Sequence, residues 1–162
     1  MRSLIALSTP HPAAMAGVAL RSTQLLHSWY MLFFQLPAVP EAAFRRAGAE
    51  RAARQLERGG LDAASARRYA ERLTGPGAVT GPLNWYRALP FSARQPVGEV
   101  TVPTLYVWSS GDSYLTRAAA EATAAHVTAT YRFEILEGLS HWLPTAAADR
   151  LAPLVLDHLA AS

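Results

Sequence analysis

The chain contains no cysteine. That excludes a disulfide scaffold, a thiol nucleophile and a zinc–thiolate centre. Lysine is absent too, so all 15 basic residues are arginines. They are scattered, and the pairs Arg45–Arg46 and Arg67–Arg68 sit on helix-like segments mixed with glutamate. A nucleic-acid binder gathers positive charge on one face with aromatic platforms between. The net charge of +3 therefore reads as a solvated surface, with no nucleic-acid partner. Nor is there an apolar run long enough to span a bilayer, since the longest, Trp29 to Leu36, is broken by Gln35 and stopped by Pro37. The opening run Ser3–Leu7 lacks the length and flanks of a signal peptide, and a cytoplasmic protein off the membrane is expected.

What is present suits a folded domain. The 162 residues are 51% hydrophobic and 17% charged, enough for a sizeable core and too apolar for wholesale disorder. Three short apolar runs read as strands. Ser3–Ser8 ends at Thr9-Pro10-His11-Pro12, where two prolines enforce an extended exit. Thr104–Trp108 follows Val102-Pro103 and stops at Ser109-Ser110-Gly111-Asp112. Tyr131–Leu136 stops at Glu137-Gly138. The later two are followed by helix-like stretches, Thr116 to about His126 and Thr145 to about Ala160, with Thr116 and Thr145 as expected N-caps. Strand, loop and helix in alternation predict an α/β fold with about three parallel strands and flanking helices.

Between the first and second strands, about His11 to Pro96 reads as helices at Met15–Gln35, Glu41–Arg58, Asp62–Leu73 and Pro82–Ala88. That is far too long for a simple crossover. It predicts a helical cap, residues 13–96, inserted into a partial core made of 1–12 and 97–162. Such a cap belongs over the carboxyl ends of the strands, where α/β ligand sites lie. A three-stranded parallel sheet is small for its kind, and nothing precedes the first strand to cover its apolar edge. The chain reads as truncated, the open edge awaiting an N-terminal half or a second copy.

Two residues past strand ends carry candidate chemistry. Asp112 follows the second strand and His141, in Gly138-Leu139-Ser140-His141-Trp142, follows the third. Each has a plainer reading, Asp112 as a turn aspartate bonded to its own backbone and His141 as a loop histidine beside Trp142. Together, an acid and then a histidine after successive strands match the half of a catalytic triad in which a carboxylate orients an imidazole. The hydrolase chain order is nucleophile, acid, histidine.

Five stretches carry a family resemblance. They are Leu7-Ser8-Thr9-Pro10-His11-Pro12, Trp29-Tyr30-Met31-Leu32-Phe33-Phe34-Gln35, Gly81-Pro82-Leu83-Asn84-Trp85-Tyr86-Arg87, Val102–Trp108 with Asp112, and Gly138–Trp142. In this order the chain resembles the C-terminal part of an α/β-hydrolase of the epoxide hydrolase and dehalogenase branch. The resemblance implies Asp112 as the triad acid, His141 as its base, and Tyr30 and Tyr86 as hydrogen-bond donors to an epoxide oxygen. Opening a strained ether leaves an alkoxide, which needs such donors. Trp29, Phe33, Trp85 and Trp142 are the expected walls for a small apolar substrate. No metal or organic cofactor is implied.

The nucleophile is the main departure. Only Gly77 and Gly81 have the spacing of the Gly-x-nucleophile-x-Gly elbow, and inert Val79 lies between them. The oxyanion-hole His-Gly loop is likewise missing, and neither Ser8, Ser113 nor Ser140 sits on a strand-to-helix elbow. Ser109 and Ser113 replace the family's usual glycine and proline around the acid. The reading is an epoxide hydrolase-like segment, inactive by itself. The alternatives are a dehalogenase or esterase of the same superfamily, with Trp29 one position from a halide-binding tryptophan, or a non-catalytic remnant or half-subunit.

Overall fold

The computed structural model describes residues 1–19, 21–92 and 97–161. Its sheet has three parallel strands in the order β1-β2-β3, with β1 at Leu4–Leu7, β2 at Thr104–Ser109 and β3 at Tyr131–Leu136. Leu4 pairs with Thr104, and Thr104 with Tyr131. Every residue of the central β2 is buried, so alternate side chains feed two core layers. Leu105 and Val107 pack with Leu136, Leu143 and Leu151 on one face. Tyr106 and Trp108 pack with Leu115 and Ala120 on the other, joined by Ala6, Met15 and Phe133.

The first of the expected helices is broken into pieces. In place of one helix over Met15–Gln35 there are three: α1 (Pro12–Ala19), α2 (Gln24–His27) and α3 (Trp29–Phe34). The Ser22 hydroxyl donates to the Val18 carbonyl at 2.8 Å and accepts from the Gln24 amide at 3.1 Å. Those local bonds give the backbone an alternative to the helical ladder. Next, α4 (Val39–Arg58) is kinked at Gly48, whose φ of 71° and ψ of 172° are open to glycine alone. Asp62 lies outside α5 (Ala63–Leu73) as its N-cap, accepting from the Ser65 amide at 2.9 Å. The helix expected at Pro82–Ala88 is longer, α6 (Thr80–Ser92), and tolerates Pro90 inside it.

Past β2, Thr116 caps α7 (Arg117–Ala122) as expected, and the remainder to His126 tightens into a 3₁₀ turn. Thr145 is not a cap. It lies within the short α8 (Leu143–Ala146), whose start is set by Pro144, and the last helix, α9 (Ala148–Ala161), begins after Ala147.

The chain forms two compact units, Met1–His27 with Val97–Ser162, and Ser28–Pro96. The second unit starts at Ser28, while α1 and α2, which the sequence reading placed in the insertion from residue 13, group with the first unit. The reason is packing: α1 lies against α7, with Ala14 buried and Met15 in the Tyr106–Trp108 layer. The expected end of the insertion, Pro96, falls outside the described residues. Within the second unit α4 packs on α5, where Ala66 and Ala70 are fully buried. No helix among the described residues is long and apolar enough to cross a membrane.

Candidate active site

Two loops leave the carboxyl ends of β2 and β3 and are tied together by hydrogen bonds. The Gly111 amide donates to the Leu139 carbonyl at 3.0 Å and the Ser110 amide to the Leu136 carbonyl at 3.3 Å. In return, the Gly138 amide donates to the Ser110 hydroxyl at 2.8 Å, and the Ser109 hydroxyl donates to the Ser140 carbonyl at 2.8 Å. Gly111 is required here, because a Cβ at that position would lie 2.6 Å from the Leu139 carbonyl oxygen. Gly138 turns the second loop with a φ of 72°.

The tied loops bring Asp112 to His141. Asp112 Oδ1 accepts from the amides of Tyr114 at 2.8 Å and Leu115 at 3.0 Å. Oδ2 lies 2.8 Å from His141 Nδ1. The Asp112 side chain is fully buried and that of His141 is 29% exposed. A carboxylate can only accept, so the contact assigns the imidazole proton to Nδ1 and leaves the lone pair on Nε2. That is the tautomer in which an oriented histidine serves as a base. The turn reading of Asp112 also holds, because one oxygen makes the turn while the other makes the pair. Tyr114 stands edge-on to the imidazole at 5.0 Å and Trp142 at 5.7 Å.

The other predicted donors meet in the second unit. The rings of Tyr30 and Tyr86 are 5.8 Å apart at 81°, and Phe34 touches both, at 5.5 Å and 5.0 Å. Arg87, next to Tyr86, spends its guanidinium on three elements. Nε donates to the Phe34 carbonyl at 3.1 Å, Nη1 to Glu41 Oε1 at 2.6 Å and Asn84 Oδ1 at 3.2 Å, and Nη2 to Glu41 Oε2 and the Leu36 carbonyl, both at 2.9 Å. Gln35 adds a bond to the Tyr86 carbonyl at 2.8 Å. The Arg87 hydrogen bonds hold the Glu41 carboxyl below its ordinary range, and Glu41 in turn raises Arg87. Phe33 is half-buried against Trp29 at 6.4 Å, whereas Trp29 and Trp85 are exposed, Trp85 at 75%.

Of the stand-in nucleophiles Ser8, Ser113 and Ser140, none lies on a strand-to-helix elbow. Ser8 does end β1 in the left-handed region, with φ of 44°, but its hydroxyl is buried with no hydrogen-bond partner among the described residues. Among those residues no group of three or more metal-ligating side chains could hold an ion. Two further phenols, Tyr106 and Tyr131, are pushed up by burial, Tyr131 to about 12, and belong to the core layer of β2 and β3.

No family model matches the chain. Known proteins do. It is 35% identical over 166 residues to the AB hydrolase superfamily protein YfhM of Bacillus subtilis, covering 98% of this chain and 57% of that protein. It is 33% identical to human epoxide hydrolase 4, covering 94% of this chain and 45% of the relative. In fold it matches potato epoxide hydrolase I with a TM-score of 0.74 at 20% identity, across 100% of this chain and 63% of the other. The chain belongs to the α/β-hydrolase superfamily, on its epoxide hydrolase-like branch. It spans about half the length of the curated relatives it matches.

Two features of this α/β-hydrolase site were not anticipated from sequence. Tyr114 was hidden in a loop as one of several aromatics. Gln24 was hidden in the polar stretch Arg21-Ser22-Thr23-Gln24, yet it is fully buried and reaches the loop that follows Asp112.

Proposed function

We propose that this chain supplies the base, its acid and the ring-opening donors of an epoxide hydrolase, for a small apolar epoxide. The observation that carries the reading is the 2.8 Å contact between Asp112 Oδ2 and His141 Nδ1. A carboxylate nucleophile from outside these residues attacks an epoxide carbon, forming an ester and an alkoxide. Tyr30 and Tyr86 hydrogen-bond that oxygen and protonate it. His141 Nε2 then removes a proton from water, the hydroxide adds to the ester carbonyl, and collapse releases the diol and regenerates the nucleophile. Asp112 holds the imidazole and balances the charge of the imidazolium. The imidazolium gives up its proton and the tyrosine regains one through solvent, so the sum is epoxide plus water to diol. Trp29, Phe33, Trp85 and Trp142 line the route of an apolar substrate in this reading.

Packing within the second unit favours an epoxide over a halide. Tyr30, not Trp29, stands against Tyr86, giving paired phenols for oxygen. In this reading the nucleophile, the oxyanion-hole loop and a strand for the outer edge of β1 all come from beyond the 162 residues. The reading is tested by joining the chain behind the corresponding N-terminal half of the Bacillus subtilis relative and assaying an aryl epoxide. Diol should form with the joined protein and not with the chain alone, and His141→Gln in the joined protein should accumulate the ester. Hydrolysis of an aryl ester but not of the epoxide would overturn it in favour of an esterase.

A further inference from the structure

We propose that Gln24 is a positioning residue for the Asp112–His141 pair, acting through the backbone of residues 114–116. The inference rests on the reading of that pair as acid and base. Gln24 is completely buried. Its Nε2 donates to the Tyr114 carbonyl at 2.9 Å, and its Oε1 accepts from the Thr116 amide at 2.9 Å and the Thr116 hydroxyl at 3.0 Å. The same segment sends the amides of Tyr114 and Leu115 to Asp112 Oδ1. Residues 114–116 are thus held between the Gln24 amide on one side and the Asp112 carboxylate on the other. His27, also on α2, adds a bond from Nδ1 to the Ser113 carbonyl at 2.9 Å.

Only an amide fits this place. The segment presents a carbonyl and an N–H together, and glutamine offers a donor and an acceptor on one planar group, which neither glutamate nor methionine does. Removing it would take these partners from the part-buried Tyr114 carbonyl and Thr116 amide, and such groups move to find others. As the segment moves it takes with it the two amides that fix Oδ1. Asp112 is then free to rotate, and Oδ2 no longer holds His141 in one tautomer. Loop ties to Leu139 and Ser140 place the two loops side by side. Gln24 sets which carboxylate oxygen meets the imidazole.

The test reads the imidazole itself, not turnover, in the uniformly ¹⁵N-labelled 162-residue chain. Long-range ¹H–¹⁵N spectra above neutral pH show which ring nitrogen carries the proton. In the wild type His141 should show a single Nδ1–H tautomer. His11 is the internal control: its Nδ1 accepts from the Ala13 amide at 3.2 Å and its Nε2 donates to the Gly98 carbonyl at 3.1 Å, the opposite tautomer in the same unit. In Gln24→Met, His141 should lose its single-tautomer signature while His11 keeps its own. An unchanged His141 beside an intact His11 overturns the proposal. Should Gln24→Met lose the His11 signature as well, Gln24→Asn, which keeps the amide but withdraws it by one methylene, is read by the same two criteria and decides. A wild type with His141 already in mixed tautomers would sink the acid–base reading, and this inference with it.

Discussion

Asp112 divides its oxygens between two tasks, Oδ1 taking the amides of Tyr114 and Leu115 and Oδ2 the imidazole of His141. This division makes Asp112→Asn a sharp probe. The asparagine carbonyl must stay where two N–H groups point at it, so its NH₂ falls opposite His141 Nδ1. A donor there requires Nδ1 to be the acceptor, and the proton moves to Nε2. The fold should survive, because size and turn geometry are kept, but the lone pair that a base needs would face the wrong way. In the joined protein the proposed mechanism predicts a loss of about 10⁴-fold in kcat. In the chain itself the ¹⁵N spectrum of His141 should invert, and persistence of the Nδ1–H form would show that Oδ1 and Oδ2 are not fixed as described. Gly111 belongs to the same argument at this scale, since it removes the one atom, a Cβ, that would hold the two loops apart.

Elements divide into those whose cause is local and those whose cause is distant. The three strands were readable because two are apolar runs and the third alternates apolar and charged residues, each with a hard stop beside it: Pro10, Ser109-Ser110-Gly111, Glu137-Gly138. Asp112 and His141 were readable for the same reason, as polar residues placed just past those stops. The helix breaks were not, because the polar stretch Arg21-Ser22-Thr23-Gln24 holds no proline or glycine to mark a stop, while the Ser22 hydroxyl diverts the backbone. The clamp of Arg87 on Glu41 was equally hidden, since it joins α6 to the start of α4 and has no local signature. That clamp makes the second unit sensitive to acid. Glu41 titrates below its ordinary range in the folded chain, so over that interval the unfolded chain binds the extra proton and stability rises with pH. The contribution is fully present above the ordinary glutamate range, about pH 4–5, and disappears as pH falls through the depressed folded value. Acid titration followed by helical circular dichroism should therefore show a loss that Glu41→Gln abolishes, and an unaltered acid limb in that variant would count against the clamp as its cause.

For the molecule as a whole, the two outer edges of the sheet differ in how well they are guarded. β3 carries an Arg132–Glu134 ion pair at 2.7 Å, with both side chains partly exposed, and charge on an edge discourages strand addition. β1 is Leu-Ile-Ala-Leu, uncharged and only half-buried. Its Leu4 and Ser8 amides donate to Pro103 and Val107 on the β2 side at 2.9 Å. Alternation along a parallel ladder then turns the amides of Ile5 and Leu7 outward. A polypeptide of these 162 residues should accordingly associate reversibly as its concentration rises, measured by sedimentation velocity. Ile5→Pro removes one outward donor while sparing the bonds to β2, a place where an edge strand accepts proline, and should weaken that association. One competing surface is α9, where Leu156 and Leu159 are 65% and 55% exposed. If Leu159→Arg disperses the complexes and Ile5→Pro does not, α9 is the contact and β1 is not the edge that seeks a partner. If Ile5→Pro alone disperses them, the association is strand addition at β1, the edge to which the proposed N-terminal half would add its strand.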